Sequence, residues 1–254
     1  MFVFLDNLRN VIFMKWNFID SGMNTGIYNM DFDLELTRKC TPEDSFFRLY
    51  RWFPYCISLG ANQKIEEIDL LKASGDNVDV VKRPTGGRAI LHSEEVTYSV
   101  VVHLDCGLSP SEIYKEINNA LLNGLRIYDP RLGDAELENL QPDFKNVYKT
   151  PAGTACFATT AKSELKFSGK KLIGSAQRKL GSVILQHGSI LCGKYHKHIT
   201  RYLTLSGEER AGVAADLESK TIEIETILNE PVDYERLKTS LSEGFAEYFS
   251  GEER

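Results

Sequence analysis

Four short runs rich in β-branched and aromatic residues follow one another between residues 45 and 104: SFFRLYRW, YCISLG, VDVVKR and TYSVVVHL. Runs of this length and composition read as strands, so the first half of the chain is mainly sheet. Further on, ELKF and KLIGSAQ flank Ser168-Gly169-Lys170 as a hairpin, and SVILQHGSILC supplies another strand. Strands joined largely by hairpins, with helices interspersed, indicate an α/β (α+β) fold in which a mixed, largely antiparallel sheet packs on helices. A doubly wound parallel sheet is disfavoured.

Three helical stretches frame these strands. Ile27, Met30 and Leu34 recur at helical spacing, so residues 26–38 form an amphipathic helix with those side chains on its inner face. At Ser109-Pro110-Ser111-Glu112 a capping serine, a proline at the first helical position and a glutamate three residues after the cap start a helix. Ile113, Ile117, Leu121 and Leu125 continue it. Beyond residue 195 the pattern is mainly helical and ends with Leu237, Leu241 and Phe245 on one face. Residues 129–155, polar and rich in Pro and Gly, read as a long loop, and loops of that length are often functional.

A chain of 254 residues with 42% hydrophobic content can bury a sizeable core. No repeat or Pro/Gly/Ser-rich linker divides it, so 1–254 is expected to be a single domain. The opening residues 1–13 read as an extra N-terminal segment or a mis-called start, with Met14 as initiator. A formal charge of -6 argues against nucleic acid, which needs basic residues gathered on one face. No apolar run approaches the roughly 20 residues of a spanning helix. Cys40, Cys56, Cys106, Cys156 and Cys192 are odd in number and lack C-x-x-C pairs, which fits a reducing cytoplasm and no structural metal.

The segment VVKRPTGGRAILHSEEVTYSV, residues 80–100, is the densest unusual stretch. Gly86-Gly87 lets backbone N–H groups approach a ligand, and Arg83 and Arg88 add positive charge, so the loop can cradle an anion. The same residues fit an ordinary hairpin turn with two solvated arginines. His92 fits either an orienting group or a satisfied histidine near the core.

A second segment, residues 155–192, places Cys156 after the long loop and Lys171 at the start of a strand. A thiol attacks as thiolate, which a nearby ammonium favours, and exchange between two sulfurs is close to balanced. Cys156 fits equally a small buried hydrophobe, and Lys171 a solvated strand-end lysine. His196 and His198, on what reads as an exposed helix, earn no role.

RPTGGRAILHSEEVTYS resembles the signature of the biotin/lipoate A/B protein ligase family, most closely its cysteine-dependent octanoyltransferase branch. GKKLIGSAQRK followed by ILQHGSIL is similar to the family's second signature, and WNFIDSG, YNMDFDLEL and YCISLGANQ extend the likeness from about Trp16 beyond Leu191. The resemblance implies a fold like the catalytic domain of biotin protein ligase and class II aminoacyl-tRNA synthetases. It implies catalytic roles for Cys156 and Lys171, and substrate binding by Arg83, Gly86, Gly87, Arg88 and His92. From the second signature it adds Gly174, Ser175, Ala176, His187 and Gly188. The implied reaction passes an octanoyl or lipoyl group from acyl carrier protein through a Cys156 thioester to a lysine of a lipoyl domain or glycine-cleavage H protein, with no cofactor required.

Two departures bear on the branch. ATP-dependent lipoate ligases of this superfamily show a third glycine where this chain has Arg88, and many carry a C-terminal domain for which the residues after 195 leave little room. Both favour the transferase over a ligase needing ATP and Mg. A lipoyl amidotransferase using the same cysteine, and a non-catalytic module sequestering acylated partners, are the other readings. Lys162, Lys166, Lys170, Lys179 and Lys194 are expected around the site, as a basic patch for an acidic carrier or as a solvated face.

Overall fold

The computed structural model describes residues 15–137 and 164–250. Residues 1–13 and Cys156 lie outside them. The strands are β1 (Lys15–Asn24), β2 (Asp44–Trp52), β3 (Cys56–Leu59), β4 (Asp79–Lys82), β5 (Ile90–His92) and β6 (Glu95–His103). After these come β7 (Glu136–Leu137), β8 (Leu165–Phe167), β9 (Lys170–Lys171), β10 (Ile173–Leu180) and β11 (Val183–Leu191). The helices are α1 (Gly26–Lys39), α2 (Leu70–Gly75), α3 (Pro110–Tyr128), α4 (Gly207–Lys220), α5 (Ile224–Leu228) and α6 (Tyr234–Ser250).

The main sheet has the order β1-β2-β6-β11-β10. Only its β1–β2 pair is parallel; the β2–β6, β6–β11 and β11–β10 pairs are antiparallel. A small sheet, β4-β3-β5, stands against it, and a third joins β7, β8 and β9. This is the mixed, mostly antiparallel architecture read from the sequence.

Side chains alternate across a strand, and this alternation divides the main sheet into two chemically different faces. Val96, Tyr98, Val100 and Val102 of β6 join a core with Ile117, Leu121 and Leu125 of α3 and Leu241 and Phe245 of α6. Glu95, Thr97, Ser99 and Val101 therefore face the other way, toward α1 and the small sheet. The helix face is sealed by a close crossing of α3 and α6: a Cβ on Gly244 would lie 2.3 Å from the Gly124 nitrogen. α3 begins as expected, with Ser109 accepting from the Glu112 N–H and Glu112 returning a bond to Ser109.

α1 has the expected extent but another orientation. Ile27 is 69% exposed, while Asn29, Met30, Asp33 and Leu36 form the buried face. The reason lies in β2, where the buried Arg48 donates to Asp33 Oδ1 at 2.7 Å and to Asn29 Oδ1 at 2.6 Å. A polar face satisfied in this way outweighs the burial of one isoleucine.

The β8–β9 hairpin turns through Ser168 and Gly169, both at positive φ (49° and 76°), as a two-residue hairpin turn requires. The stretch after residue 128 also has structure: a 3-10 turn at Pro130–Asp134 and then β7. The helix carrying His196 is a 3-10 segment, Lys194–Arg201, and His196 is buried rather than exposed. Its ring meets the Gly193 carbonyl and the Thr221 hydroxyl. Among the described residues no helix is long and apolar enough to cross a membrane.

Candidate active site

Between the polar face of the main sheet, α1 and the small sheet lies a pocket. Its lining runs from Gly174 and Ala176 on β10, across His187 and Ser189 on β11 and Thr97 on β6, to Tyr50 and Trp52 on β2. Strands about 4.8 Å apart make this path roughly 14 Å long. Met30 on α1 and Ser58, Ile90 and His92 on the small sheet complete the walls.

Two buried carboxylates organise the polar wall. Glu95 Oε1 meets His92 Nδ1 at 2.8 Å, Ser189 Oγ at 2.8 Å and Thr97 Oγ1 at 2.5 Å. His92 in turn contacts Ser58 Oγ through Nε2 at 2.7 Å and stacks on Trp52 with ring centroids 4.1 Å apart. Asp33 takes bonds from Arg48 and Ser99 at 2.7 Å each, from Tyr50, and meets His187 Nδ1 at 3.2 Å. His187 Nε2 lies 2.6 Å from Thr85 Oγ1, tying β11 to the glycine loop.

These contacts set the charges. Burial alone would push the Asp33 carboxyl up, but the His187 hydrogen bond and the Arg48 guanidinium bring it below its usual value. Burial likewise works against ionised Glu95, and His92, Thr97 and Ser189 more than offset it. For His187 burial dominates and lowers the imidazole pKa despite Asp33, so the ring is neutral at neutral pH.

The glycine loop is pinned rather than open. A guanidinium has five N–H groups, and those of Arg83 reach the Ser58 carbonyl and hydroxyl, the Gly86 carbonyl and the Arg88 carbonyl. Arg83 lines the pocket as expected, but its charge is spent on carbonyl oxygens, which changes the picture of a loop of solvated arginines cradling an anion. A Cβ on Gly60 would lie 2.0 Å from the Gly87 carbonyl oxygen, so the loop rests directly on the end of β3. Gly86, Gly87 and Arg88 do not line the pocket, and the Arg88 side chain reaches Glu67 at 3.6 Å.

Lys171 is 1% exposed, which excludes the solvated strand-end alternative. Its ammonium pairs with Glu164 Oε2 at 3.1 Å, and Glu164 Oε1 accepts the Ser175 N–H at 3.0 Å. The lysine is thus one carboxylate away from the pocket rim at Ser175. Gly188 is a glycine for space: its Cβ would meet the Gly174 carbonyl at 2.5 Å and the Tyr98 ring at 2.7 Å.

Of the residues expected from sequence, the pocket brings together Arg83, His92, Gly174, Ser175, Ala176, His187 and Gly188. Sequence reasoning missed Asp33, Arg48, Glu95, Thr97 and Ser58. Arg48 was findable as a charge inside the apolar run SFFRLYRW, and Asn29 and Asp33 as polar residues four apart on one helix. The basic patch is only partly assembled. Lys170 and Lys194 both act on Glu218, whereas Lys179 lies near the far end of β10, paired in register with Ile184. Lys162 lies outside the described residues.

This fold and pocket define a class. The family profile of the lipoyl protein ligase A/B catalytic domain matches residues 25–246, and the chain belongs to that family. Among its relatives, octanoyltransferase LipM of Kyrpidia tusciae is 34% identical over 240 residues, covering 91% of this chain and 86% of the relative. Octanoyltransferase LipM of Bacillus subtilis is 33% identical, with 91% and 84% covered. The fold is shared with a bipartite lipoate protein ligase of Thermoplasma acidophilum at a TM-score of 0.72 and 19% identity, covering 95% of this chain and 86% of that one. It is also shared with lipoate-protein ligase A with ATP bound, at 0.71 and 19%, covering 92% and 85%.

Proposed function

We propose that this chain is an acyltransferase of lipoate biosynthesis that moves an octanoyl group onto a lysine of a lipoyl-domain protein. The observation that carries the reading is the buried Lys171–Glu164 pair set one residue contact from the rim of the pocket, in a chain whose relatives are named octanoyltransferases.

In this reading the acyl chain lies along the pocket with its carbonyl toward β10. The Cys156 thiolate attacks the thioester carbonyl of an acyl carrier protein, and the carrier thiol leaves with a proton. The acceptor lysine amine, of a lipoyl domain or the glycine-cleavage H protein, then attacks the Cys156 thioester, gives up a proton and restores the thiol. The ammonium of Lys171 stabilises the carbonyl oxygen as negative charge develops. No nucleotide or metal takes part.

The other cysteines support Cys156 as nucleophile. Burial pushes the thiols of Cys56, Cys106 and Cys192 up, and that of Cys40 up to about 11, so each is held as an unreactive thiol.

Intact-protein mass spectrometry after mixing with octanoyl-acyl carrier protein, without ATP, tests the reading. The expected result is one added octanoyl mass on wild type, none on Cys156→Ala, discharged by an apo lipoyl domain. Lipoyl-domain modification that appears only with ATP and free acid replaces the transferase with a ligase.

A further inference from the structure

Of the described residues that line the pocket, all are buried except Ser175 and Ala176, which are half-buried. Both belong to β10, the edge strand of the main sheet, so among the described residues the pocket meets solvent along that strand. Side chains alternate across a strand, and the register pairs Gly174 with Ser189, Ala176 with His187 and Arg178 with Leu185. Ser189 and His187 line the pocket, which puts Gly174, Ala176 and Arg178 on its face. Arg178 is thus the next side chain after Ala176 on the pocket face of β10, and it is exposed.

The Arg178 guanidinium is held in place from one side. Its Nη1 donates to the Pro84 carbonyl at 2.5 Å, and one residue further on Thr85 Oγ1 meets His187 Nε2 at 2.6 Å. The glycine loop is therefore fastened over the pocket face at two neighbouring rows of the sheet. A guanidinium carries five N–H groups in a planar fork, of which the Pro84 carbonyl takes one. Arg83 behaves differently, since its N–H groups turn inward to Ser58 and to carbonyls of its own loop. Lys82, exposed at the end of β4 two residues before Pro84, adds a second cation to the same stretch. Lys179 lies on the opposite pleat of β10.

We propose that Arg178 binds the phosphate of the phosphopantetheine arm on which the acyl donor is carried. This inference rests on the octanoyltransferase reading and deepens it. In that reading the acyl carbonyl lies toward β10 by Ser175, and the arm leaves through the mouth. Ser175 and Arg178 are three residues apart on one strand, about 10 Å, which an arm with two amide units between thiol and phosphate can span. A planar guanidinium matches the oxygens of a phosphate better than a point charge does. The contact is remote from the bond that breaks, so it orients the thioester over the site and is felt in the binding of the donor.

The test measures initial rates of acyl-enzyme formation by the full-length enzyme with three donors. These are octanoyl-acyl carrier protein, the free S-octanoyl-phosphopantetheine arm as its methyl phosphodiester, and S-octanoyl-pantetheine, which lacks the phosphate. We expect wild type to use the phosphodiester arm with a kcat/KM about 5- to 20-fold above that of octanoyl-pantetheine, mostly through KM, and the advantage to shrink as salt rises. Arg178→Ala should bring that ratio to within about twofold and raise KM for the carrier protein by a similar factor, with thermal melting confirming the fold. Equal use of the two free arms by wild type overturns the inference. So does a variant that slows both arms alike and leaves their ratio unmoved, because Arg178 then serves only to hold the glycine loop. A loss confined to the intact carrier protein, with the ratio again unmoved, assigns Arg178 to the carrier's surface and likewise overturns it. No octanoyl adduct on wild type with any donor removes the transferase reading and this inference with it.

Discussion

Lys171 Nζ and Glu164 Oε2 lie 3.1 Å apart, and both side chains are almost entirely shielded from water. Removing one member of such a buried pair takes the counter-charge from the other, which costs about 3–5 kcal/mol, whereas replacing both by apolar groups of similar size costs far less. Glu164→Met and Lys171→Met should each lower stability by that order in urea unfolding, and the double variant should be more stable than either. All three should lose acyl transfer. A double variant less stable than both singles would show that the pair is not coupled.

Acid should weaken the fold before it reaches the carboxylate range. His187 and His196 have folded pKa values below the usual 6.5 because they are buried. Each contributes stability that is complete above about 6.5 and is lost as pH falls toward the folded value. Asp33 and Glu95, also depressed, add a second loss below their unfolded values of 3.8 and 4.5. The melting temperature should be level near neutrality, fall below pH 6.5 and fall again below pH 4.5. His187→Gln should flatten part of the first decline, and an unchanged profile would remove His187 from it.

Gly60→Ala should displace the glycine loop, because the new methyl would meet the Gly87 carbonyl at 2.0 Å. A cost of about 1–3 kcal/mol is expected, with a rise in KM for the acyl donor. Retained stability together with unchanged kinetics would show that the loop moves aside freely.

Ser109→Ala serves as the contrast. It removes the hydroxyl that caps α3, should cost about 1 kcal/mol, and should leave the transfer rate untouched once folded protein is corrected for.

The elements legible in the sequence were those whose signals are local. The α3 cap, the strand character of β6 and the Leu237–Leu241–Phe245 stripe each follow from a rule about neighbours along the chain, and each was found. What was not legible depends on partners far apart in sequence. The orientation of α1 is decided by Arg48, and the state of Lys171 by Glu164 across a hairpin. The second signature pointed to His187, but its role as the link between Asp33 and Thr85 spans 154 and 102 residues. No periodicity carries such information, and polar residues buried against each other look like surface in a one-dimensional pattern.

The Lys171 carbonyl accepts the N–H of Ile222 at 3.0 Å, and Lys171 bridges in parallel to Thr221. The backbone that carries the lysine is thus completed by a strand-like contact with residues that follow α4. Truncation or fusion that disturbs the connection between α4 and α5 would unseat the lysine proposed for acyl transfer although it removes none of the pocket-lining residues. For engineering, that connection is to be counted with the proposed site.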